Sequence, residues 1–99
     1  MVKSLMLVPN SITQDKSESI ISRYVNSVKK AEGMLSVTLS DGSIMSPGGP
    51  VSFSHAVDVS WESLPQMVAW AQGANDLDED KDHLLENGAQ LLFYEIKEA

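Results

Sequence analysis

The hydrophobic period changes along this chain, and that change limits what it can fold into. Ile20, Ile21, Tyr24, Val25, Val28 and Ala31 recur at offsets of three, four and seven, which places them on one face of a helix. Directly afterwards Leu35, Val37 and Leu39 alternate with Ser36, Thr38 and Ser40, the period of a half-buried strand. Farther on, Val51, Phe53, Val57, Val59 and Trp61 share a strand face with His55 in their row, and Ser52, Ser54, Ala56, Asp58 and Ser60 take the opposite face. The period then returns to that of a helix, with Leu64, Met67, Val68 and Ala71 on one side and Trp70 beside them.

Local signals mark the ends of these segments. Val2 to Val8 is a short apolar run closed by Pro9-Asn10, a strand running into a turn. Thr13 or Ser11 can cap the first helix, Asp15 and Glu18 suit its positive end, Lys29-Lys30 suit its negative end, and Gly33 offers a stop. From Asp41 to Pro50 the chain is too rich in glycine and proline for helix or ladder and reads as a loop. Ser63-Leu64-Pro65-Gln66 is a helix start with a serine cap, a proline in the first turn and a glutamine placed for a capping box. Gly73 closes that helix, and the acidic stretch Asp76 to Asp82 leads through a short helix at Leu84-Leu85 to Gly88. Leu91 to Ile96 forms a last strand that is apolar on both faces.

The order β-α-β-β-α-β predicts an α+β, ferredoxin-like domain over residues 1–99, with one four-stranded antiparallel sheet and two helices on one side of it. Two helices cover one sheet face only. Apolar side chains at Val8, Leu92, Tyr94 and Met6 suggest that the second face is covered too, by another copy of the chain. A domain of 99 residues buries roughly two-thirds of its unfolded surface, and association would add to that.

Composition narrows the function classes. Without cysteine there can be no disulfide, thiolate zinc site or cysteine nucleophile. The net charge is −7, and it sits in the second half: residues 51–99 carry ten acidic and two basic side chains, against four and five in residues 1–50. Such a field repels a phosphate backbone, so we expect no nucleic-acid partner. No apolar run approaches the roughly 18 residues of a membrane helix, and the start does not read as a signal peptide, so the expectation is a cytoplasmic protein with no membrane partner.

The sequence also resembles the dimeric α+β barrel superfamily, within it the EthD-like and antibiotic-biosynthesis-monooxygenase-like proteins. The resemblance is carried by the opening strand ending in Val8-Pro9-Asn10, the Gly33 break, the loop Ser46 to Pro50 and the passage Val57 to Leu64, in which Trp61 takes the aromatic place. It implies two sheets packed face to face into a barrel with helices outside, and a cavity between each sheet and its own helices. Proteins of this kind include cofactor-free oxygenases, isomerases and haem enzymes, so the fold leaves the chemistry open.

Several residues are candidates for a site. His55, an imidazole in an apolar row, could be a buried general base or a haem ligand, or a core histidine satisfied by one hydrogen bond. In a regular strand Ser54 and Asp58 lie on the face opposite His55, which disfavours a Ser/His/Asp relay unless a bulge intervenes. Tyr24, Asn26, Trp61 and Trp70 are of the types that cofactor-free oxygenases with this resemblance use to hold an aromatic substrate, and with Phe53 they are the candidate pocket. Helical spacing equally makes Tyr24 a core residue, and Trp61 and Trp70 can simply pack helix to sheet. Asp76, Asp78, Asp80 and Asp82 alternate as calcium ligands do, but the EF-hand register would put Lys81 where glycine belongs and Asn87 where a bidentate glutamate belongs. His83 adds no paired histidine spacing, so no metal and no cofactor is assigned. The expected function is a homodimeric barrel binding a small, fairly apolar molecule; the alternatives are a cofactor-free oxygenase or isomerase acting on an aromatic or polyketide-like compound, and a structural dimer with a filled core.

Overall fold

A computed structural model describes residues 1–42 and 44–97; Ser43, in the expected loop, and Glu98 and Ala99, at the end of the expected domain, lie outside the described residues. Four strands, β1 (Val2–Pro9), β2 (Met34–Asp41), β3 (Phe53–Trp61) and β4 (Gln90–Glu95), form one antiparallel sheet in the order β2-β3-β1-β4. Helix α1 (Gln14–Val28) joins β1 to β2, and α2 (Leu64–Gly73), a 3-10 turn (Asn75–Leu77) and α3 (Asp78–Glu86) lead from β3 to β4. This is the ferredoxin-like α+β fold, two split βαβ units interleaved in one sheet. Crossovers of a single hand carry both connections over the same face.

Side-chain parity then sorts the strands. Val2, Ser4, Met6 and Val8 stand opposite Trp61, Val59, Val57 and His55, and all eight are buried on the helix side. Ile20, Ile21 and Val28 of α1 and Met67 of α2 close over them. Met6 and Val8 therefore belong to the core, not to the open face expected for them. A period of two from the buried Val2 sends every even residue of β1 inward. The open face instead carries Leu5 and Leu7 of β1 beside Leu92 and Tyr94 of β4, with Lys3 and Asp58 paired at 3.2 Å.

The helices also differ in extent from the expectation. Helix α1 starts at its Thr13 cap, whose hydroxyl accepts from the Lys16 amide, but it ends at Val28. Lys30 and Ala31 then fold into tighter turns on the carbonyls of Ser27 and Val28, so the stripe continues to Ala31 without the helix. Gly33 is needed for another reason. Its φ is +88°, and a Cβ there would run into the Gln66 side chain in the first turn of α2. Its carbonyl accepts from the Glu62 amide at 2.8 Å, joining the start of β2 to the end of β3. Ser63 caps α2, and its hydroxyl donates to Gln66 Oε1 at 3.0 Å.

The acidic stretch is not a bare connector. Asp78 to Glu86 is helical, and its first turn carries Asp78, Glu79 and Asp80 at the positive end of the helix dipole. Leu77 and Leu84 bury their side chains, and Arg23 of α1 grips Asp80 with two hydrogen bonds of 2.7 and 2.9 Å.

Candidate functional site

A cavity of about 150 Å³ opens between the sheet and its helices. Met6 and Leu91 contribute from the sheet, Ile20 and Tyr24 from α1, and Met67 and Trp70 from α2. Leu77 and Leu84 close the side that the acidic stretch supplies, and the exposed Asp78, Lys81 and Phe93 stand where it opens to solvent. Each wall follows from the pattern that made the element: the apolar stripe of a helix faces the sheet, and the space is what those side chains leave unfilled.

Aromatic rings set the shape of one wall. Tyr24 meets Trp70 edge to face, with ring centroids 5.5 Å apart, and Trp70 in turn lies 5.6 Å from Trp61 at a tilt of 38°. Their indole nitrogens are spoken for. Trp70 Nε1 donates to Ser27 Oγ at 3.0 Å, and Trp61 Nε1 donates to Ser4 Oγ at 3.1 Å. Burial pushes the Tyr24 phenol above its ordinary range, so it keeps its proton at neutral pH, and the nearby Ser4 hydroxyl offsets a smaller part of the effect of burial. At the rim, the Arg23 hydrogen bonds hold the Asp80 carboxyl below the usual carboxylate range, against a smaller opposing effect of burial.

The candidate residues divide between places. Tyr24 and Trp70 line the cavity. Trp61 is fully buried behind Trp70, and Asn26 borders a second, more open groove between α1 and the α2 side, with Arg23, Ser27, Lys30, Trp70 and Asp76. Phe53 is half-buried at the start of β3 and does not reach the cavity wall. His55 is buried at the other end of the sheet's inner face, paired with Val8 in the ladder. The β1–β3 register shifts between Val8 and Pro9, so that Phe53 rather than Ser54 follows His55 in the pairing. That irregularity lets Ser54 Oγ come within 2.7 Å of His55 Nδ1. Asp41, opposite His55 on β2, places its Oδ1 3.2 Å from Nε2, a charge-pairing distance rather than a directed hydrogen bond. Hydroxyl, imidazole and carboxylate thus do gather, with Asp41 in place of Asp58, but among the described residues none of the three lines the cavity.

Ser4 and Arg23 were not legible in the sequence as site residues, and Asp80 was weighed there only as a calcium ligand. Ser4 reads as one polar position in an apolar strand, and Arg23 and Asp80 are 57 positions apart with no shared motif. Only the period-two inward placement of Ser4 could have drawn attention to it. Among the described residues no group of three histidine, aspartate or glutamate side chains is placed to hold a metal ion.

The fold defines the class: this is a ferredoxin-like α+β protein, and solved structures of an EthD family protein and a putative antibiotic biosynthesis monooxygenase share that fold. The chain is similar in structure to a hydroxynitrile lyase from Passiflora edulis, with a TM-score of 0.73, 17% identity, and 99% of this chain and 94% of that one covered. It is also similar to an ethyl tert-butyl ether D family protein from Bacillus halodurans, with a TM-score of 0.69, 18% identity and 98% and 99% coverage. SnoaB, a cofactor-independent oxygenase from Streptomyces nogalater, matches with a TM-score of 0.70 at 10% identity over 99% and 93% of the two chains. No family model matches the sequence, and no curated protein sequence is significantly similar to it.

Proposed function

We propose that the protein is a homodimeric barrel that binds a small, fairly apolar molecule in the cavity between its sheet and helices. The cavity carries this reading. Its inner wall is made of Met6, Ile20, Tyr24, Met67, Trp70 and Leu84, and the charged side chains stand at its opening. A mostly apolar cavity of about 150 Å³ has room for a single benzene-sized ring. Dimerisation is supported by the open sheet face, where Leu92 and Tyr94 are 45% and 46% exposed next to Leu5 and Leu7. Native mass spectrometry of the purified protein, followed by denaturing release, tests both parts. A dimer carrying a small organic mass is the expected result. Ala71 stands in the wall, and replacing it with phenylalanine should fill the space and abolish uptake of added ligand. Uptake unchanged in Ala71→Phe would show that the ligand sits elsewhere.

A second reading is supported by the aromatic wall: a cofactor-free oxygenase or isomerase acting on an aromatic compound, as SnoaB is a cofactor-independent oxygenase on the same fold. Tyr24 and Trp70 would hold the ring in that case. The cavity volume favours a one-ring substrate over a fused polyketide-like one. Turnover of a bound aromatic by the purified protein without added cofactor would establish it, and binding without turnover would leave the first reading alone.

A further inference from the structure

Away from the cavity, where β2 ends and β3 begins, the sheet holds a second group of reactive side chains. His55 is 2% exposed, and its two ring nitrogens meet different neighbours: Ser54 Oγ lies 2.7 Å from Nδ1, and Asp41 Oδ1 lies 3.2 Å from Nε2. Those neighbours set the tautomer. A carboxylate can only accept, so its charge beside Nε2 favours the proton on that nitrogen and leaves the Nδ1 lone pair to accept from the Ser54 hydroxyl. Strand pairing fixes the imidazole, because His55 stands opposite Val8 on β1 and opposite Asp41 on β2. The register shift after Val8 brings Ser54 to the same ring, and the Gly42 amide holds its backbone by donating to the Ser54 carbonyl at 2.8 Å. Ser54 is half-buried and Asp41 is exposed, so the group runs from a buried base toward solvent on both sides of the ring.

We propose that Ser54 is a nucleophilic serine with His55 as its general base and Asp41 as the positioning residue, and that this site takes small esters of phenols. A hydroxyl is a weak nucleophile until a base beside it removes its proton, and a base held by a third group does so most readily. In the first step Ser54 Oγ bonds to the acyl carbon, its proton passes to His55 Nδ1, and the ester C–O bond breaks with the phenolate leaving on its electron pair. The Asp41 carboxylate stabilises the imidazolium that forms. After His55 releases that proton to solvent, it takes one from water as the water adds to the acyl carbon. Ser54 Oγ then leaves and recovers the proton from His55, and the carboxylic acid departs. A phenolate leaves without being protonated, which is why an ester of a phenol suits a site built around one base. None of the three residues lines the cavity, so this chemistry does not depend on a ligand bound there.

The test gives p-nitrophenyl acetate to the full chain, follows release of p-nitrophenolate, and locates the acetyl group by peptide mass mapping after an acid quench. The wild-type protein should release p-nitrophenolate faster than buffer and carry acetyl on the peptide that contains Ser54. Ser54→Ala should lose that adduct and fall to the rate set by lysines and the N-terminus. His55→Gln should slow acetylation of Ser54 by about 100-fold, the lower end of what a positioned general base contributes. Asp41→Asn should slow it by a smaller factor, because that carboxylate is solvated, and Asp41→Glu should restore most of the rate. Ser54→Ala leaves the buried ring in place and carries the test if His55→Gln does not fold. Acetyl found on lysines or the N-terminus but not on Ser54, or a wild-type rate in Ser54→Ala, overturns the proposal. So does a folded His55→Gln that acetylates Ser54 at the wild-type rate.

Discussion

Ser4 shows how much one small side chain can be asked to do inside a sheet. It faces the core with Val2 and Met6, and its hydroxyl is the acceptor for the buried Trp61 indole. Replacing it with alanine leaves that N–H unpaired, and a buried donor without an acceptor costs about 1–3 kcal/mol. Urea unfolding of Ser4→Ala should show a loss in that range, whereas the wild-type value would mean the indole finds another acceptor. The Arg23–Asp80 pair makes a different kind of prediction. Asp80 ionises at a lower pH in the folded chain than in an unfolded one, so its contribution is complete above the ordinary carboxylate range of about 4 and fades as pH falls through the folded value. Arg23 is half exposed, so the effect of the pair is modest, but it has a signature: Arg23→Gln should flatten the acid side of a stability–pH curve. A variant with the wild-type acid slope would show that other carboxylates set it.

Among the elements, the junction of β2, β3 and α2 is the most constrained. Gly33 combines a left-handed backbone with a side-chain-free approach to Gln66, so Gly33→Ala should destabilise the fold by about 1–3 kcal/mol, readable as a lowered thermal midpoint. A smaller loss would mean that Gln66 swings aside and the turn relaxes. Helix α3 stands at the other extreme. It has an acidic first turn, one buried leucine of its own and a clasp to α1, yet it forms a cavity wall with the turn before it. Its sequence reads as solvated because most of its side chains are solvated; Leu77 and Leu84 fix its position, and two leucines in a charged stretch carry no clear period. We expect amide exchange in residues 78–86 to be faster than in the interior strands, and slower once a ligand fills the cavity.

At the scale of the whole molecule, the proposed dimer rests on the open sheet face. Leu5, Leu7, Leu92 and Tyr94 make one apolar area on the β1–β4 side, while Ser36, Thr38 and Ser40 keep the β2 side polar. A second copy placed on the apolar half would bury it. Leu92→Lys should therefore give a monomer or an aggregate in sedimentation, and a well-behaved dimer with that substitution would put the interface elsewhere.

The order of strands and helices, the buried row of β3 and the caps at Thr13 and Ser63 were all legible along the chain, because they are set by side chains within a few positions of each other and by two periods, 2 and 3.6. Register was not. Whether Met6 or Leu5 faces the helices, and whether Ser54 can reach His55, depends on how two strands distant in sequence align, and a shift of one residue inverts the answer. The cavity and its contacts lay beyond the sequence for the same reason. Ser4 with Trp61, and Arg23 with Asp80, are each 57 positions apart, and no local propensity brings such residues together; the closing of the core does.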